Sequence, residues 1–446
     1  MIFSVNKEMN ETKSSIRSFN GKKHIVTLPT IFFCLIVAYS FTSHLIMNVL
    51  SGRAYCAILA VLTMAYLLSS RIWKEKSNIG YILIALAVIV VLIGYLRGQR
   101  NDAFIDTVVL LCGCLIVRAH GKDGNRYYSA LRVMTFFGIF FAAGVLLHAL
   151  APGVHRMVIR IFPSSFANAI LHGLEDTSHG ARGFTTNTGH AAGFIGAGIL
   201  AMISQIGSWK TGNWKHYIRL LFLFAGLAYT GKRGPIAFII LAIMLFYLLP
   251  YRGNQKAERY WRIFIVLLLL VVVYFFLSDL LVRIPIISEI IRTIEGVSSN
   301  QDISSTRFGL YAWAWKLFQE HPLIGIGWGM YRTTVVGNVT FGTALDTHNI
   351  YLQLLAETGI IGFSIFAVLF SYMWVKTKNA YLECLKNNPQ SIWKMVLGFS
   401  LLYQTYFLLY GLTGNTLYDQ HYQILYMVCC AIYFSYHYVV KRFVRS

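Results

Sequence analysis

The strongest constraint on this chain is the recurrence of apolar runs long enough to cross a lipid bilayer. The hydrocarbon core is about 30 Å thick and a helix rises about 1.5 Å per residue, so a crossing needs roughly 20 mainly apolar residues. About twelve such runs follow one another, at 28–49, 54–71, 79–96, 102–118, 130–150, 188–207, 216–230, 235–250, 262–282, 357–376, 392–413 and 418–439. In lipid the peptide groups must satisfy one another within the segment, which makes each run a helix. The expected fold class is therefore an all-α polytopic membrane protein. Composition agrees, because only 13% of the 446 residues are charged while 56% are hydrophobic. A soluble domain carries about 25% charged residues, so a string of water-soluble domains is excluded.

An even number of crossings leaves both termini on one side. Residues 1–26 are polar and read as a cytoplasmic tail, with 27–446 as a single polytopic membrane domain. No small-residue cleavage site follows the first run, so it reads as an uncleaved signal anchor. The formal charge of +21, from 39 Lys and Arg against 18 Asp and Glu, raises the question of a nucleic-acid partner. Position answers it. With the N-terminus inside, Lys22, Lys23, Arg71, Lys74, Lys122, Arg126, Lys210, Lys215, Arg252, Lys256, Lys376, Lys378, Lys441 and Arg442 all face the cytoplasm. The acids gather mainly outside. This is the asymmetry that sets membrane orientation, and no nucleic acid is needed to explain it. All seven cysteines fall in spans or the inner loop, where thiols behave as small apolar groups. Neither the Cys112/Cys114 nor the Cys429/Cys430 pair is read as a metal site.

The inner loops are short, so chemistry is expected in the two long outer loops, 151–187 and 283–356. The first opens with His155, Arg156 and Arg160 among Val154, Met157, Val158, Ile159, Ile161 and Phe162, a basic amphipathic stretch suited to lipid headgroups. A polar segment, Glu175 to His190, follows, with Arg182 beside a helix start.

Three helix starts on this face share a pattern. In the turn Tyr229-Thr-Gly-Lys-Arg-Gly-Pro235, the proline suits a first helical turn, so Lys232 and Arg233 stand just before a helix N-terminus. That end carries partial positive charge, and two cations there are unfavourable unless an anion joins them. Farther on, Ser304-Ser-Thr306 offers capping hydroxyls, and Arg307 sits in the first turn of a helix whose Phe308, Tyr311, Trp315 and Phe318 line one face. That aromatic face is expected to pack against the membrane surface or other spans, with a sugar platform as the lesser reading. The turn Gly325-Ile-Gly-Trp-Gly329 lacks the strand and acidic residue of a nucleotide loop. Last, Asp346 or Thr347 is expected to cap a helix with His348 in its first turn, where the dipole favours neutral imidazole. Two arginines match a diphosphate bidentately, and an imidazole takes a hydroxyl proton. Glu357 and Asp346 are candidates to orient the imidazole or the sugar, with salt bridging or capping as their more ordinary role.

Residues 306–362, with Arg307, Trp315, the run His321-Pro-Leu-Ile-Gly-Ile-Gly-Trp-Gly329, His348-Asn-Ile-Tyr-Leu352 and Ala356-Glu-Thr-Gly359, resemble the bacterial O-antigen polymerase and O-antigen ligase superfamily. The Thr230-Gly-Lys-Arg-Gly234 turn is similar to the element holding its first arginine, which puts the family signature at 230–362. The resemblance implies a GT-C-type glycosyltransferase-like fold whose outer-face loop carries short helices. It also implies glycan transfer from a polyprenyl diphosphate to an acceptor hydroxyl, without metal, nucleotide sugar or other cofactor. By the same resemblance His348 is the general base, Arg233 and Arg307 hold the diphosphate, and Lys232, Arg182, Asn349 and Glu357 are substrate-binding candidates. The chain departs from many relatives in having Arg182-Gly-Phe-Thr-Thr-Asn-Thr-Gly189 where they carry an Arg-Thr-Gly-like element with a Pro-Asn pair. The implied partners are a polyprenyl-diphosphate-linked oligosaccharide and membrane lipid, with a chain-length regulator as a further candidate. A polymerase of surface polysaccharide, O-antigen or capsule, is the leading expectation. A ligase that adds glycan to lipid A-core is the alternative, and a flippase of lipid-linked glycan comes last because the spans are nearly free of mid-span charge.

Overall fold

The computed structural model describes residues 27–70, 79–97, 101–119, 121, 123–172, 180–206, 214–249, 307–340, 344–387 and 391–445. Among them the architecture is all-helical, with one isolated bridge between Val336 and Thr340. The first run forms α1 (Leu28–Phe41) and α2 (Ser43–Val49), bent by 69° at Thr42. The Thr42 hydroxyl donates to the Tyr39 carbonyl at 3.0 Å, a side-chain intrusion into the helical ladder that accounts for the break. Then come α3 (Gly52–Ser70), α4 (Ile79–Arg97), α5 (Asn101–Arg118) and α6 (Gly124–Leu150). The 151–187 segment contributes the short helices α7 (Pro152–Ile159) and α8 (Ser164–His172). After them stand α9 (Thr188–Ile203), α10 (Trp214–Tyr229) and α11 (Arg233–Leu248).

The 283–356 segment supplies α12 (Arg307–Glu320) and α13 (Tyr331–Val335). The chain closes with α14 (Ile350–Asn387), α15 (Ile392–Tyr410) and α16 (Gln420–Arg445). Five of these helices are long and apolar enough to cross a membrane, or six if the bent α1–α2 pair is one span. Helices α9 and α11 are apolar but, at 16 residues each, shorter. The expected crossing at 262–282, the tail 1–26 and the capping hydroxyls of 304–306 lie outside the described residues.

The solvent of this fold is written on its surface. Helix α4 has a mean hydropathy of 2.8, yet Ile82, Leu86, Ile89 and Ile93 point outward. Such a face is stable in lipid and not in water. The interior belongs to α9, α15 and α16. Helix α9 is buried on all sides, and a Cβ added at Gly138 of α6 would lie 2.8 Å from the Gly198 Cα of α9. Lipid tails are as apolar as leucine, so membrane helices gain by such close packing of small residues rather than by hydrophobic burial.

Helix α14 is broken at Gly359, whose φ of 61° and ψ of −170° suit glycine almost alone. The break frees backbone groups that the glycine-rich run then satisfies. Ile326 N–H donates to Ala356 O and Gly327 N–H to Glu357 O, both at 2.9 Å, and Ile360 N–H returns to Pro322 O at 2.8 Å. Gly325 also has positive φ, and a Cβ there would strike the Glu357–Thr358 backbone. The 325–329 turn is therefore a backbone clasp on α14. Gly359→Ala should cost at least about 1–3 kcal/mol from conformation alone, with a clash against the Leu323 backbone in addition. The expected result is a lowered thermal midpoint in detergent, read by size-exclusion recovery after heating.

Candidate active site

The end of α15 is where the signature elements meet. A Cβ on Gly234, in the first turn of α11, would lie 3.2 Å from the Tyr410 ring and 3.4 Å from the Thr413 hydroxyl. On the other side, Ile350 N–H donates to Gly411 O at 2.9 Å and the Tyr351 hydroxyl to Leu408 O at 2.7 Å. The N-termini of α11 and α14 are thereby held against the same turn. Arg233 is the first residue of α11 and Lys232 its cap residue, one position further into the helix than the sequence suggests, and no acid occupies that first turn. Arg307 is the first residue of α12.

His348 takes a backbone conformation the sequence did not suggest. The cap of α14 is Asn349, whose Oδ1 accepts from the N–H groups of Tyr351 (3.0 Å) and Leu352 (3.1 Å). Neither Asp346 nor Thr347 caps the helix, and His348 lies outside it with φ 56°, the one non-glycine residue with positive φ among the described residues. Asn349 wins because its side chain reaches two orphan N–H donors at once, while Asp346 is drawn off by Arg332. With its side-chain oxygen committed to the cap, Asn349 has less to offer a substrate. Burial pulls the His348 pKa below its ordinary range, and Arg307 and Lys232 pull the same way, whereas Asp346 and Asp419 push it up. Burial leads this list, where the sequence pointed to the helix dipole. Arg307 and Lys232 are thus each within electrostatic reach of His348, and Arg307 and Asp419 both reach Tyr410.

Arg182 belongs to a loop that docks on the Tyr229–Arg233 turn through an Ala181 N–H to Tyr229 O bond of 2.9 Å. Its backbone N–H donates to His148 Nδ1 at 3.1 Å, and its guanidinium reaches Thr186 O at 3.4 Å. Asn187 caps α9 by accepting from Gly189 N–H at 2.7 Å. Glu357 is fully buried and accepts from Tyr331 N–H (3.2 Å), the Tyr418 hydroxyl (2.9 Å) and Gln353 Nε2 (3.3 Å). It stands as an internal brace, with protein donors on both carboxylate oxygens.

The aromatic stripe of α12 does not turn to the other described helices. Leu310, Ala314 and Leu317 face inward onto Tyr331, Val335 and Ala356, while Phe308 is 72% and Trp315 48% exposed. Trp313 of the same helix flanks this aliphatic stripe, partly buried against the cluster.

Two functional-looking groups escaped the sequence reading. Asp419, at the start of α16, meets His190 Nε2 at 3.4 Å. His190 in turn stacks on His44 with ring centroids 3.6 Å apart. Arg332 of α13 pairs bidentately with Asp346, at 2.7 and 2.8 Å. Asp419 was legible only as an acid in a short outer turn, and Arg332 only as a cation following the glycine run.

Residues 218–367 match the family model described as O-antigen ligase, overlapping the 230–362 stretch that holds the motifs. No curated protein matches the chain. The class so defined is a multi-pass membrane protein with an O-antigen ligase-type domain, in keeping with the polymerase and ligase superfamily of glycan-transferring enzymes. The candidate residues stand at helix ends within 218–367 and on the α15–α16 turn outside it.

Two outcomes follow from the histidine. Its left-handed backbone costs about 1–3 kcal/mol in a non-glycine residue, so His348→Gly should be about 1 kcal/mol more stable than His348→Ala in a thermal melt. Its pKa lies below the ordinary value of about 6.5, so the neutral form prevails at pH 7 and the imidazole charges only in more acid solution. Arg307→Gln removes a cation that lowers this pKa, so the ¹⁵N titration of His348 should move to higher pH.

Proposed function

We propose that the chain polymerises a bacterial surface polysaccharide of the O-antigen or capsule type. In this reading it transfers a glycan from polyprenyl diphosphate to the hydroxyl of an acceptor lipid-linked repeat. The work is done at the outer face of the cytoplasmic membrane, by a GT-C-type protein of about twelve spans with both termini in the cytoplasm. The observation that carries the reading is the convergence on one turn of two helix starts, with Arg233 in one and His348 beside the other, and Arg307 within electrostatic reach of that histidine.

His348, neutral and half-buried, accepts the proton of the acceptor hydroxyl as that oxygen bonds to the anomeric carbon of the donor sugar. The bond between that carbon and the phosphate oxygen breaks, and polyprenyl diphosphate leaves with the electron pair. Arg233 and Arg307 meet the added negative charge. A charge-assisted hydrogen bond contributes roughly 1.5–3 kcal/mol, and each 1.36 kcal/mol is about tenfold in rate. Two bidentate arginines thus supply several powers of ten. Lys232 adds positive potential, and Arg182, carried by the loop docked on the same turn, is placed to meet the donor glycan. Neither metal nor nucleotide sugar enters the scheme, and α7 with Arg156 and Arg160 rests in the headgroup layer. A chain-length regulator is a candidate partner of the same face.

The O-antigen ligase description of the matching family favours one second reading, in which lipid A-core is the acceptor. The test is the product ladder made by purified protein from a synthetic polyprenyl-diphosphate repeat, with and without lipid A-core. Lengthened repeats in the absence of lipid A-core support the polymerase, and product formed only on lipid A-core supports the ligase. Translocation of the donor without release of polyprenyl diphosphate would overturn both in favour of a carrier. Arg233→Lys and Arg307→Lys should each lose about a hundredfold in turnover, since lysine keeps the charge but not the fork. His348→Ala should lose turnover while remaining inserted.

A further inference from the structure

His348 keeps a left-handed backbone that a non-glycine residue adopts only where its surroundings over-determine it. The surroundings can be followed bond by bond. Thr347 N–H donates to Gln353 Oε1 at 3.2 Å, and Asn349 N–H donates to Thr347 Oγ1 at 3.0 Å. The residues on both sides of His348 are therefore tied to the first turn of α14. Gln353 is itself oriented, because its Nε2 donates to Asp346 Oδ1 (2.9 Å) and Glu357 Oε1 (3.3 Å), which leaves its oxygen for Thr347. Asp346 is gripped by the Arg332 fork, and Arg332 Nη1 lies 3.8 Å from Asp106 of α5. Asp106 accepts from Gln420 of α16 at 3.2 Å. The strained histidine is thereby tied through one guanidinium to two further helices.

We infer that Arg332, Asp346 and Gln353 form a clamp that fixes the backbone around His348 and so aims its imidazole, which makes Arg332 a positioning residue of the reaction proposed above. The inference rests on that reaction for its kinetic consequence only. A misplacement of about 1 Å can cost a hundredfold in rate, so losing the clamp strikes turnover while the diphosphate contacts remain. The clamp also acts on the charge of the imidazole, which Arg307, Lys232, Asp346 and Asp419 face from four separate elements. Arg332 offsets Asp346. Without Arg332, the bare Asp346 carboxylate favours the imidazolium, whereas without the Asp346 charge the imidazolium loses support.

The experiment compares Arg332→Gln, Asp346→Asn, the double variant and each single variant in a His348→Ala background. Each single variant should lower kcat about ten- to hundredfold with little change in donor KM. The double variant should be no slower than the worse single one, because both remove the same clamp. In the His348→Ala background neither should slow the residual rate further. The acid limb of kcat should move to higher pH in Arg332→Gln and to lower pH in Asp346→Asn, a divergence that loss of fold does not produce. Should Arg332→Gln fail to insert, Gln353→Met breaks the clamp without unpairing a buried charge and should show the same loss of kcat. Unchanged kcat in an inserted variant, limbs that move together, or losses that multiply with His348→Ala would overturn the inference. The ¹⁵N titration of His348 in detergent should diverge in the same way without any turnover. An inactive unaltered protein with that divergence intact would therefore refute the reaction and leave the clamp standing.

Discussion

Four backbone hydrogen bonds join the 322–327 stretch to the break in α14 and hold the glycine-rich run against that helix. A helix passing from lipid into an aqueous loop has to stop satisfying its own peptide groups somewhere, and here it does so abruptly at Gly359. The freed groups are taken up by Pro322, Leu323, Ile326 and Gly327 rather than by water. That clasp sets where α13 begins and brings Tyr331 N–H to Glu357. It thereby fixes the start of α14, on which His348 depends. The glycines at 325 and 359 serve backbone-to-backbone contact, which explains a glycine-rich run without a phosphate.

Much of the architecture was legible because the bilayer admits so few solutions. Helices α3, α4 and α5 follow their apolar runs closely, whereas α14 starts seven residues before its run and ends eleven after it, because polar turns extend a helix beyond its apolar stretch. The cations at helix starts were legible for a related reason: Arg233 and Arg307 stand where a helix dipole disfavours them, and a local conflict of that sort marks a site. What stayed hidden depended on competition between neighbours. Asn349, Thr347 and Asp346 all suit a cap, and only the pull of Arg332 on Asp346 leaves Asn349 in that place. The inward face of α12 was hidden because two adjacent faces are apolar, and Ala356 and Val335 on other elements take the aliphatic one.

The acids of the site divide into separate duties once the structure is known. Glu357 braces Tyr331 and Tyr418, Asp346 is held by Arg332, and Asp419 stands by His190. Asp346, the carboxylate nearest His348 in sequence, thus acts on that imidazole while held by Arg332. The cations follow the same logic. Arg332 is engaged with two carboxylates, whereas Arg307 begins a helix whose first turn holds no acid.

The bend at Thr42 has a reach beyond the first helix. By folding α2 over, it lays His44 on His190, next to Asp419 at the foot of the last helix. Helix α2 and the start of α16 therefore meet through His190, beside the residues that most of the recognisable motifs supply. Exchange of residues 218–367 alone between two such proteins would transplant Arg233, Arg307 and His348 into a foreign frame. Specificity engineered by swapping that segment would be limited by whether the recipient's outer helices already fit around it.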